Sequence, residues 1–398
     1  MSPENIVLGL GGTVDYEIEW DAEAINKLVA LHGIRRDALV DLPKILTERD
    51  LLISLSNFLE TGIGGERSVA KPEVIHTLAM KLTYRVTLGG TPVRAALVMA
   101  VRGVASTVHL VSTNDETRAL LPRGTHIVSS ATEDSLFPHL IVQYPSGATI
   151  ALEDGVVRAP RANRVIFTHD PPNEELLLSN QLGGALSGAK LCLVSGLNIF
   201  KDEALLRERL VQLVVNLEKV PPTGTVVYED AGFHIPLHSR IVREMLVPHI
   251  DVYSMNEDEA QAYLRETVDL TSSAAVTAMF TKLRAAIPAK HLMVHTHLWA
   301  ALVGPKANHY RQAVGAAVQM ASARFCFGDA LTLAQYDSIA SLPHNLFAAG
   351  VGEALGDAFG EDLAFSPGFL LETGQPTTIG LGDSFIGGFL AELAIQNG

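Results

Sequence analysis

The chain predicts an α/β fold, a doubly wound and mostly parallel sheet with helices on both faces. Three observations carry that expectation. First, short apolar runs of strand type occur at residues 6–10, 107–111, 190–194, 225–228, 251–254 and 291–295. Second, longer segments with apolar residues three or four apart lie between or after them, at 203–220, 239–246, 258–265, 274–286, 313–324 and 385–395. Third, the first half breaks this alternation. Residues 13–60 and 139–161 turn polar and strand-like, with alternation in His139-Leu140-Ile141-Val142-Gln143-Tyr144 and a turn at Pro145-Ser146-Gly147. These two segments are expected to form a smaller β-rich lid. Residues 1–12, 61–138 and 162–398 are then left for the large domain. No internal repeat or long linker is present, which favours a lid built from discontinuous segments over two tethered domains.

At 398 residues the chain exceeds one ordinary core but buries a sizeable one. Thirty basic residues against 44 acidic ones give a net charge of −14, which argues against nucleic-acid or anionic-membrane partners and makes any phosphate site a local feature. Cys192 and Cys326 sit in apolar surroundings far apart in sequence, as buried free thiols do, and point to a reducing compartment. The N-terminus shows no basic segment followed by an apolar core, and the longest apolar stretches are interrupted by Arg94, Arg102 or glycine. A cytoplasmic location is expected.

Four short motifs and a histidine pair carry candidate chemistry. In Gly380-Leu381-Gly382-Asp383, just before a helical run, the glycines bare backbone N–H groups, the helix start adds its positive dipole end, and Asp383 is placed to orient or deprotonate an attacking hydroxyl. The plainer alternative is a helix cap. Asn256-Glu257-Asp258-Glu259 follows a strand and opens a helix, where oxygen ligands suit a hydrated magnesium ion; an Asn cap with Glu three residues on also describes a capping box. Glu229-Asp230 ends another strand, either as site carboxylates or as solvated loop. Leu88-Gly89-Gly90-Thr91-Pro92 allows close approach of a polyhydroxy ligand, or is a turn with proline opening a helix. His295 and His297 are placed on one strand face, as a transition-metal pair or as core and nucleotide-pocket residues. Residues 183–190 lack the Gly-Lys-Ser/Thr of a phosphate-binding loop, and no Gly-x-Ser-x-Gly occurs.

Gly89-Gly90, Asn256-x-x-Glu259 and Gly380-x-Gly382-Asp383, in this order, resemble the ribokinase-like sugar kinases. Within that superfamily the chain is most similar to the ADP-dependent glucokinase and phosphofructokinase family, on its length and on Ser195-Gly196-Leu197-Asn198, Asn163-Arg164-Val165-Ile166 and Val294-His295-Thr296-His297. Thr377-Thr378-x-Gly380-x-Gly382-Asp383-Ser384-Phe385 fits the ATP-dependent branch as well. The resemblance implies a ribokinase-like fold, phosphoryl transfer from ADP to a hydroxyl of glucose or of a sugar phosphate such as fructose 6-phosphate, AMP as product, and magnesium. It implies Asp383 as base, with Gly380, Leu381 and Gly382 stabilising charge on the transferring group. Glu259 and Glu229 would hold the metal, Asn256, Arg164 and His295 would face the nucleotide, and Asp15, Gly89, Gly90 and Glu66 the sugar. Two positions depart from the family pattern: His-x-Glu reads Val227-Tyr228-Glu229, and Asn-x-Asp reads Thr13-Val14-Asp15. An ATP-dependent carbohydrate or nucleoside kinase, and a catalytically silent sugar- or nucleotide-binding protein, are the alternatives.

Overall fold

The computed structural model describes residues 2–374, 376, 377 and 379–397, so Thr378 lies outside the described residues. Its larger sheet has nine strands. In spatial order they are Leu363–Pro367, Trp299–Val303, His291–His295, Val252–Asn256, Thr225–Glu229, Leu191–Val194, Ile6–Leu8, Thr107–Leu110 and His126–Ser129. Every pairing from His291–His295 to His126–Ser129 is parallel; Trp299–Val303 runs antiparallel to both neighbours. Leu191-Cys192-Leu193-Val194 is buried at every position, as a strand covered by helices on both faces must be. All six expected strands lie in this sheet, and all six expected helices form, the last as Leu381–Gln396. Trp299–Val303, Leu363–Pro367 and His126–Ser129 are additions to the expected set.

A second sheet of six strands has the order Lys44–Ile45, Gly65–Val69, Asn163–Thr168, His139–Tyr144, Thr13–Ile18 and Tyr84–Gly89. It extends beyond the segments 13–60 and 139–161 assigned to a lid, because Gly65–Val69, Tyr84–Gly89 and Asn163–Thr168, expected in the large domain, hydrogen-bond into it. The first lid segment is also more helical than its polar look suggests. Asp21 caps the helix Ala22–Leu31, and a Thr47–Asp50 capping box opens Glu48–Thr61, whose Leu51, Leu52, Leu55, Phe58 and Leu59 form one buried stripe. Residues 149–158 pair as a separate hairpin of Thr149–Leu152 with Gly155–Arg158.

Helix Leu381–Gln396 is nearly enclosed, lying between Thr91–Val101 and Arg311–Phe327. Glycines permit that approach: a Cβ on Gly387 would stand 2.9 Å from Ala95 Cα, and one on Gly388 2.9 Å from the Ala316 carbonyl. The N-terminus of this helix is thereby held over the C-terminal ends of the central strands and beside the second sheet. Cys192 is buried, which pushes its thiol up to about 12, whereas Cys326 is only partly buried, against expectation; neither is in a disulfide. No helix among the described residues is long and apolar enough to cross a membrane.

Candidate active site

Gly380 precedes Leu381–Gln396 in a left-handed conformation, φ 70°, and among the described residues no side chain caps the helix. The first backbone N–H groups of the helix are therefore left for another acceptor. Asp383 sits in the first turn, not as the cap. Its Oδ1 accepts a hydrogen bond from Thr91 Oγ1 at 2.7 Å, and its Oδ2 lies 3.8 Å from Arg94 Nε. Thr91 and Arg94 both come from the helix that follows Gly89-Gly90, so the two glycine motifs, far apart in sequence, meet at one carboxylate.

Arg94 is 5% exposed. It donates from Nη2 to Asp15 Oδ2 at 3.1 Å, and Glu17 Oε1 and Asp329 Oδ1 lie at 3.9 and 3.8 Å. Burial alone would lower its pKa; Asp15 first, then Asp383, Asp329 and Glu17, outweigh that and raise it. Asp15 is itself buried and also accepts from Thr13 Oγ1 at 2.7 Å. Gly89 lies against that carboxylate, where a Cβ would come within 2.4 Å of Asp15 Oδ2, and Gly90, at φ 85°, crosses Gly12 so closely that a Cβ would meet its Cα at 2.9 Å. The guanidinium of Arg164, on the second sheet, is pushed down by burial and then by Arg94, and pulled up by Asp383, so it lies within electrostatic reach of both.

Glu229 ends its strand, and Glu259 lies in the first turn of the helix Glu257–Leu264 that follows the neighbouring strand Val252–Asn256. Glu229 Oε1 pairs with His295 Nε2 at 2.9 Å, while its Oε2 is buried with no partner among the described residues. Both side chains lie close to the glycine loop: a Cβ on Gly382 would be 3.5 Å from His295 Cε1 and 3.7 Å from Glu229 Oε1. Burial would lower the His295 pKa, but Glu229 outweighs it and the net shift is upward. Asn256 and Glu259 do form the capping box, with Glu259 Oε2 accepting from Asn256 N at 2.8 Å and Asn256 Oδ1 from Glu259 N at 2.9 Å. The Glu259 carboxyl is nevertheless raised to about 8, by burial and then by the charge of Asp230. Asp230 serves the core: hydroxyls of Tyr228, Tyr253 and Tyr263 all donate to it. His297 lies beyond the strand that holds His295 and turns to Glu257 Oε1 at 3.1 Å, so the two histidines share no strand face. Among the described residues no group of three or more His, Cys, Asp or Glu side chains is arranged to hold a metal ion.

Glu66 lines a cavity of about 550 Å³ between the two sheets, together with His139, Asp170, Asp41, Glu174, Arg67 and Lys201. Glu66 accepts from Thr168 Oγ1 at 3.2 Å, and His139 pairs with Asp170 at 3.1 Å. The two cations are engaged, Arg67 with Asp41 at 3.1 Å and Lys201 with Glu174 at 2.6 Å. Thr91 and Arg94 are the residues that sequence reasoning passed over. Their signal was present, a hydroxyl directly after a glycine pair and an arginine within an apolar helix, but which carboxylates they meet is decided only by the fold.

Residues 4–345 match the conserved region of the ADP-specific phosphofructokinase/glucokinase family. The chain belongs to that family. It is 23% identical over 242 residues to an ADP-dependent glucokinase of Bos taurus, a match that takes in 58% of this chain and 48% of the relative, so the aligned part spans about half of that protein's length. Its fold matches a hypothetical ADP-dependent phosphofructokinase from Pyrococcus horikoshii OT3 with a TM-score of 0.79 at 16% identity, each chain covered in full. An ADP-dependent kinase in complex with fructose-6-phosphate and ADPβS gives 0.70 at 13% identity, over 98% of this chain and 93% of that one. At these identities the structural likenesses establish the α/β fold alone, and membership of the family rests on the conserved region.

Proposed function

We propose that this protein transfers the terminal phosphoryl group of ADP to a hydroxyl of a sugar and releases AMP. The observation that carries the reading is Asp383, oriented by Thr91 at the start of a helix whose N–H groups no side chain caps among the described residues. Asp383 accepts the proton of the attacking hydroxyl, and the backbone N–H groups of Gly380, Leu381 and Gly382 stabilise charge on the group in transit. Arg164 reaches the same phosphates from the second sheet, and His295 and Asn256 edge the nucleotide side. Asp15, Glu66, Gly89 and Gly90 hold the sugar, and approach of the second sheet excludes water that would otherwise take the phosphoryl group.

The carboxylates fit magnesium. Glu229 carries a buried oxygen without a partner, and Glu259 is pushed up to about 8 by burial and neighbouring negative charge, a strain that a divalent cation relieves. Few protein ligands are needed, since magnesium keeps several waters and phosphate oxygens. Bound there, it would neutralise charge on the phosphates, with Glu229 and Glu259 as its protein anchors.

The acceptor supported best is an uncharged sugar such as glucose. Arg67 and Lys201 on the cavity wall are paired with Asp41 and Glu174, which leaves Glu66 and the His139-paired Asp170 as the remaining carboxylates and suits hydroxyl donors better than a sugar phosphate. A panel of ADP against ATP and glucose against fructose 6-phosphate tests the whole reading. AMP formed from ADP only with glucose is the expected result. ADP formed from ATP instead would move the chain to the ATP-dependent branch, fructose 6-phosphate as sole acceptor would overturn the choice of sugar, and no product in any arm would make the protein a silent binder.

A further inference from the structure

Arg94 has surroundings that a surface-facing arginine does not have. It is enclosed by four carboxylates from separate parts of the fold: Asp15 and Glu17 from the second sheet, Asp329 after helix Arg311–Phe327, and Asp383 from the C-terminal helix. Arg85 pairs with Glu17 at 3.0 Å and with Asp329 at 3.2 Å, and Arg324 pairs with Asp329. The network therefore runs unbroken from the second sheet to the loop before the glycine motif, where Arg324 also reaches the Ile379 carbonyl at 3.4 Å. Gly380 touches Arg94 directly, since a Cβ there would be 2.9 Å from Arg94 Cδ and 3.0 Å from Nη1.

We propose that Arg94 is a positioning residue that fixes Asp15, on the sugar side, relative to Asp383, the base, so that one guanidinium sets the distance between the bound sugar and the group that deprotonates it. The proposal rests on the phosphoryl-transfer reading above. Nη2 donates to Asp15 while Nε faces Asp383, and only a planar fork presents two donors in fixed directions at once. A lysine at this position keeps the charge and loses the fork. Without the fork, Asp15 keeps its bond from Thr13 but its tie to the large sheet is gone, and misplacement of the acceptor hydroxyl by an ångström is costly in rate.

The test uses Arg94→Lys and Arg94→Ala, with ADP and whichever of glucose and fructose 6-phosphate the wild-type protein turns over. Both variants are expected to lower kcat by about 10²-fold or more and to raise the sugar KM, while the KM for ADP stays within about twofold. Added methylguanidinium should restore part of kcat in Arg94→Ala and none in Arg94→Lys; a role confined to stability would move the melting temperature without that rescue. Wild-type kcat and sugar KM in a folded Arg94→Lys protein would overturn the proposal. Should neither variant fold, Asp15→Asn carries the test. It keeps the acceptor oxygen but weakens the tie to Arg94, so kcat at saturating sugar should fall along with affinity, and a raised sugar KM with unchanged kcat overturns the proposal. Asp383→Asn, run in parallel, separates the two levels, because full turnover in that variant removes the reading itself and with it the role of Arg94.

Discussion

His295 reaches across the one intervening strand, Val252–Asn256, to Glu229, its Nε2 2.9 Å from Glu229 Oε1, and its ring stacks on Phe385 at 4.4 Å between centroids. The position two residues before Glu229, where the family pattern has histidine, is Val227, buried in the main core. An imidazole at this carboxylate is supplied instead by the strand His291–His295, and its stack on Phe385 ties the pair to the helix that carries Asp383.

Replacing His295 with alanine leaves both oxygens of a buried carboxylate without a side-chain partner. A loss of about 2 kcal/mol or more is expected, read as a lower midpoint in urea or on heating. Magnesium added to the variant should recover more of that loss than it adds to the wild type, since a cation at Glu229 takes over from the ring. Equal melting temperatures for variant and wild type would show that the pair contributes nothing.

Asp383→Asn should keep the fold and nucleotide binding and lower kcat by about 10² or more, the scale of a lost general base. Thr91→Val removes one hydrogen bond to Asp383 at nearly constant shape, and a loss of about tenfold in kcat is expected from it. Steady-state kinetics for the two variants rank the base above its orienting hydroxyl. The reverse order would place the proton with Thr91.

Glu259 is both cap and metal candidate, and Glu259→Gln separates the roles. Glutamine can still accept from the Asn256 N–H, so the capping box is retained while the charge goes. The magnesium concentration for half-maximal activity should rise about tenfold or more with little change in melting temperature. A lower melting temperature at unchanged magnesium dependence would leave Glu259 as a cap.

The parallel strands were readable because each is apolar on both faces, a property visible in one short window: Leu191-Cys192-Leu193-Val194 needs no knowledge of its neighbours. The strand Gly65–Val69, Gly-Glu-Arg-Ser-Val, has a single fully buried position and reads as loop until its partner Asn163–Thr168 is known. Trp299–Val303 was hidden for another reason. Its turn from His291–His295 is held by the Thr296 side chain, which accepts from Leu298 N and Trp299 N, and carries no glycine or proline to announce it. At the site, Asp383 and its glycines stood out as a local pattern, whereas Arg94 took its meaning from four carboxylates that are scattered along the chain.

Gly89→Ala tests the sugar side without touching a charge. The added methyl would overlap Thr13 Oγ1 at 2.2 Å and Asp15 Oδ2 at 2.4 Å, and Asp15 is held in place by its bond from Arg94. Overpacking of about 1–3 kcal/mol borne by the sugar-binding state raises the sugar KM about tenfold or more, with the KM for ADP nearly unchanged. A shift of both constants together would mean that Gly89 is a fold position rather than a sugar contact.

His109 gives a stability prediction that is independent of catalysis. It is fully buried on the strand Thr107–Leu110, its Nε2 accepts from Ser179 N at 3.0 Å, and its Nδ1 has no side-chain partner among the described residues. Burial holds its pKa down at about 4, against 6.5 for the exposed ring. Above pH 6.5 the folded and unfolded chains both carry it neutral, and it exerts no pH dependence. Below 6.5 the unfolded chain takes up a proton that the folded one refuses until about pH 4, so stability falls as pH falls through that window. The full effect is about 3 kcal/mol by the linkage of 1.36 kcal/mol per unit. In His109→Gln, where the side-chain oxygen can still accept from Ser179 N–H, urea midpoints between pH 7 and 4 should lose this component and fall less steeply than in the wild type. Parallel curves for the two proteins would assign the acid sensitivity to other groups.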